Sequence, residues 1–271
     1  MPEAYPHGLK TLTPGNTIVE ALNILGPGFR LVPLDGSSPY VRPKAAMYDF
    51  NGKERRWDVV ESHSSVGVIL YHRELDAWVI VRQFRPAVYA TLLREAEAAG
   101  KPKPPFSAAF TYELCAGLID KSKSNAEICQ EEILEECGFR VPLEGIREVA
   151  VGIASAGTQG SPHIMYYAEA SGGWRLAVDS SMAVAGAGGG LVGHGECIEV
   201  LALPFHHCQP FVLDGSLPKS PGLMFGLTWA YFNKLNGSLG GRPAAAKEEA
   251  EAANGNPLLT EELTLRPVLP A

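Results

Sequence analysis

The chain has 271 residues, of which 46% are hydrophobic and 20% are charged, and its formal net charge at pH 7 is −7. This composition permits a proper core and excludes global disorder, and the negative charge argues against nucleic acid or an anionic membrane as the main partner. Five cysteines without C-x-x-C spacing indicate reduced thiols rather than a disulfide framework or a zinc site. Since no apolar run is long enough to predict a membrane span, we expect a soluble cytoplasmic protein.

Residues 1–60 are predicted to form a small β-rich unit. Asn51-Gly52 favours a tight turn between residues 46–50 and 56–60, which predicts a hairpin. A hairpin buries little surface alone, so we expect this unit to pack on the main body or on a second subunit. The predicted organisation is this unit, a main domain over residues 61–239, and a loosely ordered C-terminal tail over residues 240–271.

The main domain is predicted to be an α/β sandwich, because β-branched and aromatic runs alternate with helical patterns. Asn125 is expected to cap the central helix and Gly138 to end it. Strands are predicted at residues 66–71, 77–82, 110–115, 147–151, 163–168 and 198–203, and helices at residues 92–100, 126–137 and 222–236.

Four carboxylates crowd the predicted helix at residues 126–137. On a helix, Glu132, Glu135 and Glu136 share an arc of roughly 100°, and like charges on one face repel each other. One interpretation is a solvated acidic face. The other is a site for a hard divalent cation, since Mg²⁺ and Mn²⁺ prefer oxygen ligands. The apolar stripe of the helix is predicted to face away from the centre of this acidic arc and to pack on a sheet.

Residues 117–139 resemble the Nudix box, whose pattern is G-x5-E-x7-R-E-U-x-E-E-x-G-U, with U apolar. Two positions depart from it: Lys123 stands where the pattern has Glu, and Glu131 where it has Arg. The positions that match in register are Gly117, Glu132, Ile133, Glu135, Glu136, Gly138 and Phe139.

The resemblance extends over roughly residues 35–235 and points to the nucleoside-diphosphate-sugar branch of the Nudix hydrolases. The similarity is greatest to the UDP-sugar pyrophosphatases, which are related to ADP-ribose pyrophosphatases. Members of this branch are homodimers, so the resemblance implies a Nudix-type α/β/α sandwich with a mixed sheet and an N-terminal β-rich dimerisation unit. The segments that carry it, besides the box, are residues 38–44, 57–58, 83–89, 113–120 and 195–200.

The resemblance implies hydrolysis of the pyrophosphate bond of nucleoside-diphosphate sugars. UDP-glucose would give UMP and glucose 1-phosphate, and ADP-ribose, the second candidate, would give AMP and ribose 5-phosphate. The implied cofactor is Mg²⁺ or Mn²⁺, which would neutralise the diphosphate oxygens and lower the pKa of a bound water. The implied metal ligands are the Ala116 carbonyl, Glu132, Glu135, Glu136 and Glu196.

The implied catalytic residues are Glu135, Glu136, Glu196 and His194. His194 stands where relatives often have a Glu proposed as general base, and histidine can take a proton near neutral pH. It can also simply be a polar loop residue. The departures at Glu131 and His194 keep an alternative open, namely a nucleotide-sugar-binding module with little or no catalysis.

Three further residues are candidates for substrate binding. Arg85 could hold a phosphate or form a structural salt bridge, and Glu113 could accept a hydrogen bond from the substrate. Trp57 could stack on a nucleobase across a dimer or belong to the core. Residues 154–160 are predicted to form a loop over the substrate, and the glycine-rich residues 186–190 a mobile loop rather than a phosphate-binding one.

Overall fold

The computed structural model describes residues 5–12, 18–26, 28–34, 36–172, 188–190 and 195–240. The predicted C-terminal tail therefore lies, apart from Gly240, outside the described residues, and so does His194. In the described part of the chain, no helix is both long and apolar enough to span a lipid bilayer.

The main sheet consists of the strands β1 (Lys10–Thr11), β4 (Ser65–His72), β5 (Ala77–Phe84), β6 (Phe110–Glu113), β7 (Cys115–Leu118), β8 (Arg147–Ser155), β9 (Gln159–Ala170) and β10 (Glu199–Pro204). These eight strands lie in the order β1-β10-β5-β4-β9-β8, with β6 paired to β5 and β7 paired to β4. Strands β4 and β9 run parallel and the other pairs run antiparallel, so the sheet is mixed, as predicted.

Helices cover both faces of this sheet. Successive side chains of a strand point to opposite faces, so β4 contributes to two cores. Val68 packs in one core cluster with Ile133, and Ile69 packs in the other with Leu227. The predicted α/β sandwich is thus confirmed. The helices are α1 (Ile18–Ile24), α2 (Pro86–Ala98), α3 (Asn125–Cys137), α4 (Cys208–Leu213) and α5 (Pro221–Leu235).

A separate two-stranded sheet, formed by β2 (Val41–Phe50) and β3 (Lys53–Ser62), confirms the predicted hairpin. Asn51 and Gly52 both have positive φ, 53° and 69°, as a tight hairpin turn requires. The hairpin contacts the turn between β8 and β9, where the Val60 N–H donates to the Thr158 carbonyl at 2.8 Å. Its role in dimerisation stays a prediction.

The N-terminal region and α2 differ from the sequence prediction. Strand β1 pairs with β10 and forms one edge of the main sheet, so Lys10 and Thr11 belong to that sheet rather than to a separate unit. Helix α1 was not predicted. Helix α2 was predicted to begin at residue 92, but it begins at Pro86, because proline at the first helical position has a suitable φ and needs no N–H partner there.

Candidate metal and substrate site

Helix α3 is fixed at both ends by local contacts. Its N-cap is Ser124, not the predicted Asn125. The Glu127 N–H donates to the Ser124 hydroxyl at 3.3 Å, and the Ser124 N–H donates to the Glu127 carboxylate at 2.8 Å. This reciprocal capping box depends on a Glu three residues after the cap. Gly138 ends the helix in the left-handed conformation, with φ 75°, as predicted.

Glu136 lies on the buried side of α3, among apolar residues that pack on the sheet, and only 6% of it is exposed. Glu136 is therefore the member of the acidic arc that lies beside the apolar stripe. Its carboxylate accepts a hydrogen bond from the Ala116 N–H at 3.0 Å, which joins α3 to β7. Burial, and then repulsion from Glu132, raises the pKa of Glu136 to about 8.

Glu132 packs directly over the backbone of Gly117 in β7. A Cβ atom at Gly117 would lie 2.2 Å from the Glu132 Oε1 atom, so a larger residue could not occupy this position without displacing the carboxylate. Burial, followed by repulsion from Glu135, raises the pKa of Glu132 to about 7. The glycine that opens the box thus makes room for an acid fifteen residues later.

The segment that precedes Glu196 is bonded to the C-terminal end of α3. The Gly189 N–H donates to the Glu136 carbonyl at 2.7 Å, and the Gly190 N–H donates to the Glu135 carbonyl at 3.3 Å. The described part of the glycine-rich segment, residues 188–190, is therefore bonded to α3, and the mobility of the loop stays a prediction. Glu196 also raises the pKa of both Glu132 and Glu136, which indicates that its charge lies near theirs. His194 falls outside the described residues.

The two departures from the Nudix pattern contact each other. Lys123 donates to one carboxylate oxygen of Glu131, and Lys121 donates to the other at 3.2 Å. The hydrogen bond from Lys123 is the largest cause that lowers the pKa of Glu131. Glu131 is thus paired with lysines and does not add an unpaired charge to the acidic arc. Sequence reasoning treated the two departures separately and missed this pair.

The acids suit a hard divalent cation by their chemistry. In the described part of the chain, no three His, Cys, Asp or Glu side chains are placed to enclose one ion. However, burial and then repulsion from neighbouring carboxylates raise the pKa values of Glu132 and Glu136, and a bound cation would favour their charged forms. The residues that could hold Mg²⁺ or Mn²⁺ are the Ala116 carbonyl and Glu132, Glu135, Glu136 and Glu196.

Arg85 and Glu113, two candidate substrate residues, bind each other. The Arg85 guanidinium donates to both carboxylate oxygens of Glu113, at 2.7 and 2.5 Å, so Arg85 forms a salt bridge, and its binding of a phosphate stays a prediction. These bonds raise the pKa of Arg85, and attraction to Glu136 and Glu196 adds to them. Arg85 therefore lies near the acidic arc, and its side chain remains 45% exposed.

Trp57 lies on the hairpin and is 54% exposed, so it does not belong to the core of a single chain. Its indole N–H donates to the Gly157 carbonyl at 2.7 Å, in the turn between β8 and β9. This turn is part of the predicted substrate loop, residues 154–160. The contact fixes the hairpin to the loop in one chain and does not test stacking on a base.

A cavity of about 480 Å³ opens beside Ala116 and Glu113. It lies between β8, β9 and the first turn of α5, and one wall includes His163. Sequence reasoning did not single out His163, because no local motif marks it and its neighbours come from distant segments. The remaining lining residues are Leu114, Ala150, Val151, Gly152, Ile153, Ala154, Met165, Ser220, Pro221, Gly222, Leu223 and Phe225.

Comparison with known proteins decides the family. The chain is 36% identical over 208 residues to the uridine diphosphate glucose pyrophosphatase NUDT14 of Bos taurus, covering 72% of this chain and 90% of that protein. The Mus musculus protein of the same name is 33% identical over 213 residues, covering 74% of this chain and 92% of that protein. The chain belongs to the Nudix hydrolase family.

A more distant relative of this Nudix hydrolase is the GDP-mannose pyrophosphatase of Yersinia pestis (strain Pestoides F). It is 25% identical over 167 residues, which cover 62% of this chain and 71% of that protein. No protein-family model matches the chain. The relatives establish the chain as a Nudix pyrophosphatase, that is, an enzyme.

Proposed function

We propose that this Nudix hydrolase cleaves the pyrophosphate bond of nucleoside-diphosphate sugars, with UDP-glucose as the first substrate and ADP-ribose as the second. The main support is the cluster of Glu132, Glu135, Glu136 and Glu196 beside a cavity large enough for part of such a substrate. The choice of UDP-glucose is supported by the names of the mammalian relatives. Water adds to one phosphorus, the bridging P–O bond breaks, and UMP and glucose 1-phosphate leave.

The acidic residues would bind Mg²⁺ or Mn²⁺, which when bound neutralises diphosphate oxygens and lowers the pKa of a water molecule. Arg85, held in place by Glu113, is positioned near the acids and could donate to a phosphate oxygen of the substrate. Glu135, Glu136, Glu196 and His194 are our candidates for the group that accepts the proton of the attacking water.

We also propose that the protein is a cytoplasmic homodimer that uses the β2–β3 hairpin. Tyr48 and Phe50 occupy alternate positions of β2, and the residue that pairs with Trp57 occupies the preceding alternate position of that strand. The three side chains therefore point to the same face of the hairpin. All three are about half exposed in a single chain. Contiguous exposed apolar surface of this kind is typical of an interface between subunits.

A nucleotide-sugar-binding module without catalysis is the second candidate. The residue that favours it is His194, which replaces a usual Glu. Glu131 no longer favours it, since the lysine pair neutralises that carboxylate. The two candidates share the ligand and differ in whether product forms.

The test is an assay of wild-type protein with UDP-glucose, ADP-ribose and GDP-mannose in the presence of Mg²⁺, measuring nucleoside monophosphate by chromatography. We expect turnover of UDP-glucose that Glu136→Gln abolishes and that the exposed control Glu144→Gln retains. Absence of turnover with all three compounds would overturn the proposal. If these compounds then still raised the melting temperature, the binding module would be supported instead.

A further inference from the structure

A second cavity, here called the distal cavity, has a volume of about 770 Å³ and lies at the far end of β4 from the acids. Tyr71 of β4 lies in its wall, four residues along the strand from Gly67, which pairs with Ala116. At about 3.3 Å per residue, the two places are roughly 13 Å apart along the strand. No lining residue of the distal cavity also lines the cavity beside Ala116, so the two cavities are separate.

Two exposed arginines of the distal cavity lie on either side of strand β9. Arg147 of β8 pairs with Tyr167 of β9, and its guanidinium carbon lies 5.0 Å from the centre of the Tyr167 ring. On the other side of β9, Arg73 donates to the Glu169 carboxylate. Tyr167 and Glu169 are two residues apart, so their side chains point to the same face of the sheet. Both guanidinium groups are therefore presented on one face, across a single strand.

A buried ion pair holds Arg73 in this position. Lys234, which is 3% exposed, donates through Nζ to the Glu169 carboxylate at 2.7 Å and to the Leu239 carbonyl at 3.2 Å. The Tyr167 hydroxyl donates to the same carboxylate at 2.6 Å. These contacts fix Glu169, and Glu169 in turn orients the guanidinium of Arg73 through its Nε atom.

The two arginines retain donors for a ligand, whereas the ion pair does not need one. Among the side-chain hydrogen bonds between described residues, Arg73 uses only its Nε atom and Arg147 uses none. A guanidinium has five N–H donors in a planar fork that matches a phosphate. The cavity also has one acid besides Glu169, namely Glu144, which lies on the exposed turn of residues 143–145 and is not among the proposed contacts.

The size and the remaining walls of the distal cavity suit an organic phosphate better than an inorganic ion. Its volume lies within the range of about 300–1,000 Å³ that is usual for small-molecule sites. Val141, Pro142 and Leu239 supply apolar lining beside the arginines. An organic group on the phosphate could contact this lining, whereas an inorganic anion would leave most of the cavity to water.

We propose that the distal cavity binds a phosphate monoester through Arg73 and Arg147. The choice of ligand rests on the proposed function, because both products of that reaction, UMP and glucose 1-phosphate, are phosphate monoesters. The site would hold a product at the opposite end of β4 from the acids that form it. A nucleoside monophosphate and a sugar phosphate share the group that the arginines recognise, and the experiment separates them.

The test is titration calorimetry of the whole chain in EDTA, which removes metal-dependent binding at the acids. The probes are UMP, glucose 1-phosphate and inorganic phosphate. We expect saturable binding of at least one of the two esters, weakened roughly 10-fold in Arg147→Gln and in Arg73→Gln, because each variant loses charge-assisted hydrogen bonds to the phosphate. The control Arg94→Gln, at an exposed position of α2, should bind as the wild type does.

The variant Arg85→Gln separates the distal cavity from the acids, since Arg85 lies near the acids. Loss of ester binding in Arg85→Gln but not in Arg147→Gln would overturn the inference. Binding of inorganic phosphate as tight as that of both esters would also overturn it, because the organic group would then make no contact.

Binding in EDTA does not depend on turnover, so the two proposals fail independently. Ester binding that requires Arg147, without cleavage of UDP-glucose in the assay with Mg²⁺, would refute the proposed function alone. Cleavage of UDP-glucose by a protein that binds neither ester in EDTA would refute this inference alone.

Discussion

The acidic helix α3 and the N-terminal β2–β3 hairpin differ in the contacts that stabilise them. Helix α3 has a capping box, a glycine at its C-terminal end, a buried apolar stripe and a bonded glycine segment, all from its own chain. The hairpin has the backbone hydrogen bonds between its two strands and a few hydrogen bonds to the β8–β9 turn, while its aromatic side chains remain exposed. The fold thus supports like charges on α3 at a cost in stability, and leaves the apolar surface of the hairpin exposed in a single chain.

The largest expected effect is on catalysis and comes from the buried acid of α3. Glu136→Gln should lower kcat for UDP-glucose by roughly 10³-fold, because it removes a candidate ligand or base. Without metal the melting temperature should stay the same or rise, since a neutral amide avoids the cost of burying a charge and the repulsion from Glu132. Calorimetry and the product assay, compared with Glu144→Gln, check both results. A fall in both activity and stability would contradict this prediction, because it would show that the Glu136 carboxylate stabilises the metal-free fold.

Replacing the first glycine of the box tests how tightly α3 packs on β7. Gly117→Ala should lower the free energy of unfolding by about 1–3 kcal/mol and displace the Glu132 carboxylate, which the new methyl group would overlap. We expect Mg²⁺ binding to weaken as well, measured by calorimetric titration. Gly215→Ala is the matched control, because a Cβ there meets nothing within 4 Å. Equal behaviour of the two variants would mean that β7 can shift freely.

A substitution in the hairpin should change the assembly of subunits and have little effect on the fold of each subunit, unlike the substitution at Gly117. Phe50→Asp places a charge on a side chain that is 58% exposed. If the hairpin forms the dimer interface, the dimer dissociation constant should rise at least roughly 10-fold, as buried charges are costly. Sedimentation analysis measures this, with the exposed Leu213→Asp as control. An unchanged dimer would remove the hairpin from the interface.

Metal-free protein should lose stability as pH rises. The pKa values of Glu132 and Glu136 are raised from 4.5 to about 7 and about 8, so the folded state holds protons that the unfolded state releases. The stabilisation is complete below pH about 4.5 and is lost as pH rises through about 8. We expect the wild-type melting temperature to fall by a few degrees more than that of Glu136→Gln between pH 5.5 and 8.5. A parallel fall in both proteins would contradict this.

The smallest expected effect is at the lysine-paired Glu131. Lys123→Glu alone and Glu131→Arg alone should each lower the melting temperature, because each places like charges together. The double variant should recover most of the loss, with a coupling energy of about 0.5–1 kcal/mol for this partly exposed pair. A thermal double-mutant cycle measures it. Additive losses would show that the two side chains do not act as a pair.

Local signals made α3 and the hairpin predictable. The helix was expected at residues 126–137 and runs over Asn125–Cys137, and the Asn51-Gly52 turn lies where expected. The cap was misplaced by one residue, because adjacent Ser124 and Asn125 can both cap and only the Glu three residues on decides between them. The bonded glycine segment and His163 could not be predicted, since they depend on contacts between segments far apart in sequence.

The reversed ion pair of Lys123 and Glu131 bears on how the Nudix motif is best written. As a string of residue identities, the motif excludes this chain at two of its fixed positions. As a pair of charges, the two positions still carry one cation and one anion, and in this chain the two side chains contact each other. Homologues that carry the same exchange should therefore be recognised by the opposite signs of the charges at these two positions rather than by the identity of either residue.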